Sequence, residues 1–159
     1  KIISPGLRVG YAIGPQQLLD KMVVAKQCSD VHTTILSQII CCQFLQSCNI
    51  GSHLSVLKKL YRGKCGLMLQ AMRQQMDRAV FTAPEGGFFV WCVLPDRVGL
   101  MDFVRAAGEA KVAVVPGTTF LPDTAAPCSA VRLNFSAPSN QQITDGIERL
   151  GKVLDRFLR

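Results

Sequence analysis

The sequence lacks the features that mark membrane spans, zinc ribbons and disulfide frameworks. No apolar run among its 159 residues approaches the roughly twenty needed to cross a bilayer. Its 7 cysteines include no C-x-x-C pair, which argues against zinc-ribbon and thioredoxin-like sites. Its 2 histidines stand in no motif that ties either one to a nucleophilic thiol. We therefore expect no membrane partner and no metal site, with cysteines kept reduced as in the cytoplasm.

The sequence also lacks a dense basic run, although its net charge is +7, from 18 basic and 11 acidic residues. The nearest approach is the segment KKLYRGK at 58–64, on a predicted helix. Solvated lysines and arginines explain such a spread better than a nucleic-acid surface does. We expect no nucleic-acid partner for this chain, and one phosphate-bearing cofactor would account for only part of the charge.

The first 51 residues predict one strand and two helices. The alternation in LRVGYAI predicts a strand at 7–13, and the apolar spacing predicts helices at 16–27 and 34–46. A single strand has no ladder partner, and the two apolar helices cannot bury each other completely. We therefore expect the partner strands to lie upstream of Lys1.

The remaining residues predict a long helix followed by a small α/β unit. Ser52 is a candidate N-cap for a connecting helix at 52–77. After residue 78 the order is strand, strand, helix, strand, strand, helix, which builds a layer with its own core. The last helix opens on a capping box from Ser139 to Gln142.

Two arginines stand out within the predicted strands. Arg8 shares its predicted strand with Gly10 and Ala12, whose small side chains leave room for an anion against the guanidinium. Arg132 lies on the polar face of the predicted strand AVRLNFS at 130–136. The alternation alone is equally consistent with both arginines being ordinary solvated strand residues.

Five segments, taken in order, resemble a known family. KIISPGLRVGYAIGP is similar to the S-K-x-x-x-P-G-L-R-x-G-Y segment of fold-type I pyridoxal-phosphate aminotransferases, in which the lysine carries the cofactor. AKQCSDVHTTILSQ resembles the A-K-Q-x-x-D-x-H-T stretch of the branch that contains 2-aminoadipate aminotransferases. PEGGFFVWCVLP, VAVVPGTTF and VRLNFS resemble that branch's P-x-G-G-x-F-x-W-x-x-L-P, V-x-x-V-P-G-x-x-F and L-R-L-x-F/Y-S/A. The resemblance covers essentially the whole chain.

The resemblance implies an α/β chain that is the C-terminal part of a fold-type I aminotransferase. Residues 1–51 would be the remnant of the large cofactor-binding domain, 52–77 the connecting helix and 78–159 the small α/β domain. By position, Lys1 matches the lysine that holds pyridoxal 5'-phosphate and shuttles a proton. Arg8 matches the arginine that grips the cofactor phosphate, and Arg132 the one that clamps the substrate α-carboxylate.

The resemblance also implies the activity and its limits. A parent enzyme would transfer an amino group between an amino acid and a 2-oxo acid, as a homodimer. The 159-residue chain lacks the family's aspartate that pairs with the pyridine nitrogen, its ring-stacking aromatic and its phosphate loop, so we expect the isolated chain to be inactive. The alternative is an aminotransferase-like, cofactor-sensing domain of a winged-helix transcription regulator. Residues before Lys1 would distinguish the two and would also set the substrate.

Overall fold

The chain divides into two compact units, with the division between Leu57 and Lys58. The computed structural model describes residues 2–123 and 126–159. The helices are α1 (Gln16–Ser29), α2 (Ile35–Ser47), α3 (Ile50–Gln75), α4 (Leu100–Glu109) and α5 (Asn140–Leu158). The strands are β1 (Val80–Phe81), β2 (Phe89–Val93), β3 (Val115–Pro116) and β4 (Ala130–Asn134). The predicted α/β class is confirmed.

The strand predicted at 7–13 is wrong. A short 3₁₀ helix at Pro5–Leu7 occupies the start of this segment, and its last turn ends with Arg8 in the left-handed region, at φ 55°. A left-handed residue breaks an extended run. Every strand in the described part of the chain lies at or after Val80, so the segment has no ladder partner there.

The two predicted helices of the first unit are confirmed, and their apolar positions remain exposed. Leu18 of α1 is 56% exposed, and Ile35 and Leu36 of α2 are 61% and 66% exposed. None of the described residues up to Leu57 is buried. The first unit therefore has apolar helices without a core of its own. Within the described residues, no helix is both long enough and apolar enough to cross a membrane.

The third helix begins earlier than its sequence predicts. Ser52 is not its N-cap, because α3 starts at Ile50. The Oδ1 atom of Asn49 accepts a hydrogen bond from the backbone N–H of Ser52 at 3.0 Å, so the asparagine satisfies one of the free donors of the first turn. The C-terminal part of α3, around Met68 and Met72, is buried in the second unit.

The second unit is built on a four-stranded sheet in the order β1-β2-β4-β3, with every neighbouring pair antiparallel. Val90 and Cys92 of β2 lie beside Leu133 and Val131 of β4, and all four are buried. The other large buried side chains come from α3, α4 and α5 and from the loops beside them: Met72, Met76, Leu94, Phe103, Phe135, Ile143, Leu150 and Leu154. The apolar face predicted for 130–136 is thus confirmed.

The last helix forms as its sequence predicts. The Oγ atom of Ser139 accepts from the Gln142 N–H at 3.2 Å, and Oε1 of Gln142 accepts from the Ser139 N–H at 2.8 Å. This reciprocal capping box is confirmed. Because α5 packs on the core side of the sheet, the other face of β2 and β4 is left for other contacts.

Candidate functional site

The candidate site lies on the sheet face opposite the core of the second unit. Trp91 of β2 pairs directly with Arg132 of β4, so both side chains point to the same face. Phe89 lies two residues before Trp91 on the same strand and therefore shares that face. Alternation along β2 and β4 thus places an arginine among aromatic side chains, outside the apolar core.

Two phenylalanine rings contact the guanidinium of Arg132. Its Cζ atom lies 4.0 Å from the ring centroid of Phe89 and 4.3 Å from that of Phe120. The ring faces carry negative charge density, so both contacts are cation–π interactions. Phe120 also meets Trp91 edge to face, with 5.9 Å between the centroids. The arginine is therefore held by residues from β2 and from the segment that follows β3.

Gly117 allows that segment to reach β4. It begins the 3₁₀ helix Gly117–Phe120 and is buried. A Cβ at this position would lie 2.6 Å from the Sγ of Cys128, 2.8 Å from the carbonyl oxygen of Ala130 and 2.9 Å from the Trp91 ring. Only a glycine therefore fits here without displacing a neighbour. The close approach of Gly117 to β4 lets the ring of Phe120 contact Arg132.

The guanidinium of Arg132 has unused donor capacity. Its Nε atom is buried, and no acceptor within residues 2–123 and 126–159 bonds to it. Arg132 also forms no ion pair with a carboxylate of the described residues. A buried donor without a partner costs about 1–3 kcal/mol, more when it is charged. This arrangement suits an anionic acceptor, and a planar guanidinium binds a carboxylate through two parallel hydrogen bonds.

Arg8 is an exposed cation in the first unit. Its Nη1 atom donates to the carbonyl oxygen of Pro5 at 3.3 Å, and no described carboxylate pairs with it. Arg8 does not share a strand face with Gly10 and Ala12, because this segment is not a strand, and that prediction is wrong. The space beside Gly10 is nevertheless open, with nothing within 4 Å of a Cβ built there. Lys1 lies outside the described residues.

Neither a reactive thiol at Cys65 or Cys92 nor a metal site is found among the described residues. Burial raises the pKa of the Cys92 thiol to about 12 and also raises that of Cys65, so neither is a thiolate near neutral pH. No group of three potential metal ligands occurs in the described part of the chain. An open cleft of about 630 Å³ lies beside α5, lined in part by Lys111, Asp145 and Arg149, and does not include Arg132.

Sequence reasoning identified Arg132 but not the residues that hold it. The alternation in β2 is a local signal that indicates Phe89 on the same face as Trp91. Phe120 and Gly117 lie in the segment PGTTF, which by itself is typical of a loop. Only the packing of that segment against β4 brings Phe120 to the guanidinium.

Comparisons with known proteins identify the family. The profile of aminotransferase class I and II matches residues 2–150, and the chain belongs to this family. It is 35% identical over 159 residues to the 2-aminoadipate transaminase of Thermus thermophilus, covering 99% of this chain and 40% of that protein. The predicted membership of the fold-type I aminotransferases is confirmed.

Solved structures of aminotransferases have the same fold. The crystal structure of the alpha-aminoadipate aminotransferase from Thermus thermophilus, complexed with N-(5'-phosphopyridoxyl)-L-leucine, matches with a TM-score of 0.89 and 34% identity, over 99% of this chain and 40% of that one. Pyrococcus horikoshii kynurenine aminotransferase, in complex with PMP, matches with a TM-score of 0.86 and 30% identity, over 99% of this chain and 39% of that one. The chain therefore spans about 40% of the length of these relatives.

Regulators match at lower identity. An HTH-type transcriptional regulator of Bacillus subtilis is 23% identical over 155 residues, which cover 97% of this chain and 32% of that protein. Similar sequences thus occur in two classes of protein, and the function has to be argued from the site.

Proposed function

We propose that this chain is the C-terminal part of a pyridoxal-phosphate-dependent aminotransferase. The intact protein would transfer an amino group from an amino acid to a 2-oxo acid. The single observation that carries the proposal is the guanidinium of Arg132, held by two rings and with a buried Nε atom that no described residue satisfies. Family membership supplies the reaction class for which such an anion-binding arginine is suited.

Arg132 is assigned to the α-carboxylate of the amino acid. A carboxylate that accepts two N–H bonds from a planar fork is fixed in both position and rotation. Fixing the carboxylate fixes the Cα–H bond beside it, and orientation of the reacting bond lowers the barrier to proton removal. Arg132 would accept amino acids and 2-oxo acids equally, since both carry a carboxylate next to the reacting carbon.

Arg8 and Lys1 are assigned to the cofactor. The guanidinium of Arg8 is exposed and pairs with no carboxylate of the described residues, which supports a role in binding the cofactor phosphate. Lys1 would hold the cofactor covalently and carry a proton between the substrate Cα and the cofactor's C4′ carbon. A lysine amine can do this because desolvation lowers its pKa. When bound, the cofactor supplies the electron sink that stabilises negative charge on Cα.

The remaining residues of the site are proposed to come from outside this chain. The helices α1 and α2 expose apolar positions that a further part of the protein would cover. The isolated chain is therefore proposed to be inactive and to bind the cofactor weakly or not at all. The intact protein is proposed to be a cytoplasmic homodimer.

The alternative is a cofactor-sensing domain of a transcription regulator. The match to the Bacillus subtilis regulator over 97% of the chain favours it, and the higher identity of 35% to the Thermus thermophilus transaminase favours the enzyme. The part of the protein before Lys1 discriminates between them. A winged-helix module with a linker there would identify the regulator.

The test compares the 159-residue chain with the product of its complete reading frame. Each is mixed with pyridoxal 5'-phosphate, reduced with borohydride and mapped by mass spectrometry, and each is assayed for amino-group transfer with a panel of amino acids. We expect transfer and labelling at Lys1 in the longer protein only, and loss of transfer in its Arg132→Ala variant. Stoichiometric labelling with turnover by the 159-residue chain would contradict its proposed inactivity, and specific DNA binding without turnover by the longer protein would establish the alternative.

A further inference from the structure

We propose that Phe89 and Phe120 are positioning residues for Arg132, and we call the two rings the aromatic clamp. The clamp holds the guanidinium so that its N–H edge, and not its face, meets the incoming carboxylate. This inference rests on the proposed role of Arg132 in carboxylate binding. The rings act through the arginine, and no contact between them and substrate is required.

The geometry of the clamp restricts the guanidinium. Its Cζ atom lies over both rings, at 4.0 Å and 4.3 Å from their centroids. All the donors of a guanidinium point outward in its own plane, while its faces have none. In the proposed clamp the rings lie against these faces, which cannot donate, and the in-plane donors remain available. A change of side-chain rotamer that moves Cζ away from this position would lose at least one ring contact.

This restriction favours carboxylate binding because less side-chain conformational entropy of Arg132 is lost when the ligand binds. A free arginine side chain has many rotamers, and a carboxylate that binds it must select one of them. The aromatic clamp makes that selection before the ligand arrives. A cation–π contact at a partly exposed position corresponds to a factor of about two to five in an equilibrium constant. Loss of one ring is therefore expected to weaken carboxylate binding by about that factor.

The two halves of the clamp are supported differently. Phe89 belongs to β2, which is paired on both sides. Phe120 ends a 3₁₀ helix that reaches the sheet only because Gly117 lacks a side chain. The edge contact with Trp91, at 5.9 Å between centroids, gives Phe120 its second neighbour. Phe120 is thus the half of the clamp that depends on a loop.

The test observes Arg132 directly in the 159-residue chain by NMR of arginine side-chain N–H groups. Ring currents shift protons near an aromatic face, and the Hε proton on a buried Nε exchanges slowly with water. Sodium acetate is the probe, with sodium chloride at equal ionic strength as its control. The variants are Phe120→Leu, Phe89→Leu and the conservative Phe120→Tyr, which keeps the ring. Phe81→Leu is the matched control, because Phe81 pairs with Cys92 and packs on the core face of the same sheet.

In the wild type we expect a ring-shifted, slowly exchanging Hε signal of Arg132 that responds to acetate and not to chloride. Phe120→Leu and Phe89→Leu are each expected to move this signal towards its ordinary position and to weaken the acetate response about two- to fivefold. Phe120→Tyr and Phe81→Leu are expected to behave as the wild type. The two leucine variants remove different rings from different elements, so a folding failure of one leaves the test to the other.

The outcomes separate this inference from the proposed function. An acetate response of equal strength in the wild type and in both leucine variants would overturn the clamp and leave the role of Arg132 standing. A ring-shifted Hε signal with no response to acetate would instead contradict the proposed carboxylate site. If Phe120 only filled space, Phe120→Tyr and Phe120→Leu would change the acetate response to a similar extent. A wild-type response in Phe120→Tyr and a weakened one in Phe120→Leu therefore supports a role for the ring itself.

Discussion

Substitution of Gly117 by alanine is expected to destabilise the second unit by about 2 kcal/mol. The added Cβ would lie 2.6 Å from the Sγ of Cys128, 2.8 Å from the Ala130 carbonyl oxygen and 2.9 Å from the Trp91 ring. The two side chains can yield, but Ala130 belongs to β4 and its carbonyl is held by the sheet. The 3₁₀ helix must therefore move away by roughly half an ångström in a close-packed region, and such overpacking costs about 1–3 kcal/mol.

The fluorescence of Trp91 provides the assay, because Trp91 is the only tryptophan in the sequence and its ring lies beside Gly117. Urea unfolding followed by its fluorescence reports on the second unit. With a slope near about 1.5 kcal/mol per molar urea, a loss of about 2 kcal/mol lowers the midpoint by about 1 M. The same displacement withdraws Phe120 from Arg132, so the ring-shifted Hε signal should weaken in parallel.

Gly108→Ala is the matched control for this substitution. Gly108 lies in α4, is exposed, and has nothing within 4 Å of an added Cβ. Alanine is the better helix former by about 1 kcal/mol, so the midpoint of this variant should stay level or rise. An unchanged or raised midpoint for Gly117→Ala, with Gly108→Ala behaving as expected, would refute the close approach of the 3₁₀ helix to β4.

Two further predictions concern the half-buried Lys64 and the buried Cys92 of the second unit. The ammonium of Lys64 donates to the carbonyl oxygens of Ser136 and Pro138 at 3.0 Å and 2.7 Å. Lys64→Met should lower the free energy of unfolding in urea by about 2 kcal/mol, because it removes hydrogen bonds made by a charged donor. The exposed Lys58→Met is its control, and equal midpoints for the two variants would contradict the role of the two bonds. Burial raises the pKa of the Cys92 thiol from 9.0 to about 12, so the thiol loses its proton at a lower pH in the unfolded chain than in the folded one. The contribution of this thiol to the free energy of unfolding is therefore fully present below pH 9 and should be lost as the pH rises from 9 to 12. Unfolding midpoints across that range should fall less steeply for Cys92→Val than for the wild type, and identical pH dependence of the two proteins would rule out this contribution.

Local patterns in the sequence were sufficient for most elements of the second unit. The capping box from Ser139 to Gln142 and the apolar spacing of α5 are both set within a few residues, and both are confirmed. The alternation along 130–136 correctly placed Val131 and Leu133 in the core, because side chains of a strand point to its two faces in turn. Ser52 was a wrong choice of N-cap since Asn49, three residues earlier, offers its side-chain oxygen.

The predicted strand at 7–13 shows where local patterns fail. Alternation describes which face a side chain would take if the segment were paired, but pairing depends on a second strand elsewhere in the protein. The described residues offer none, and the left-handed Arg8 ends the extended run. The role of Arg8 and Lys1 at the cofactor consequently rests on the family resemblance and stays a proposal.

By itself the sequence determined the helices, the two faces of the central strands and the presence of an arginine outside the core. All of these follow from the spacing of neighbouring residues along the chain. The tertiary structure alone decided that Phe120, 12 positions from Arg132 in the sequence, lies against its guanidinium. That contact depends on how the 3₁₀ helix Gly117–Phe120 packs against β4 and on the missing side chain of Gly117, and no periodicity encodes either one.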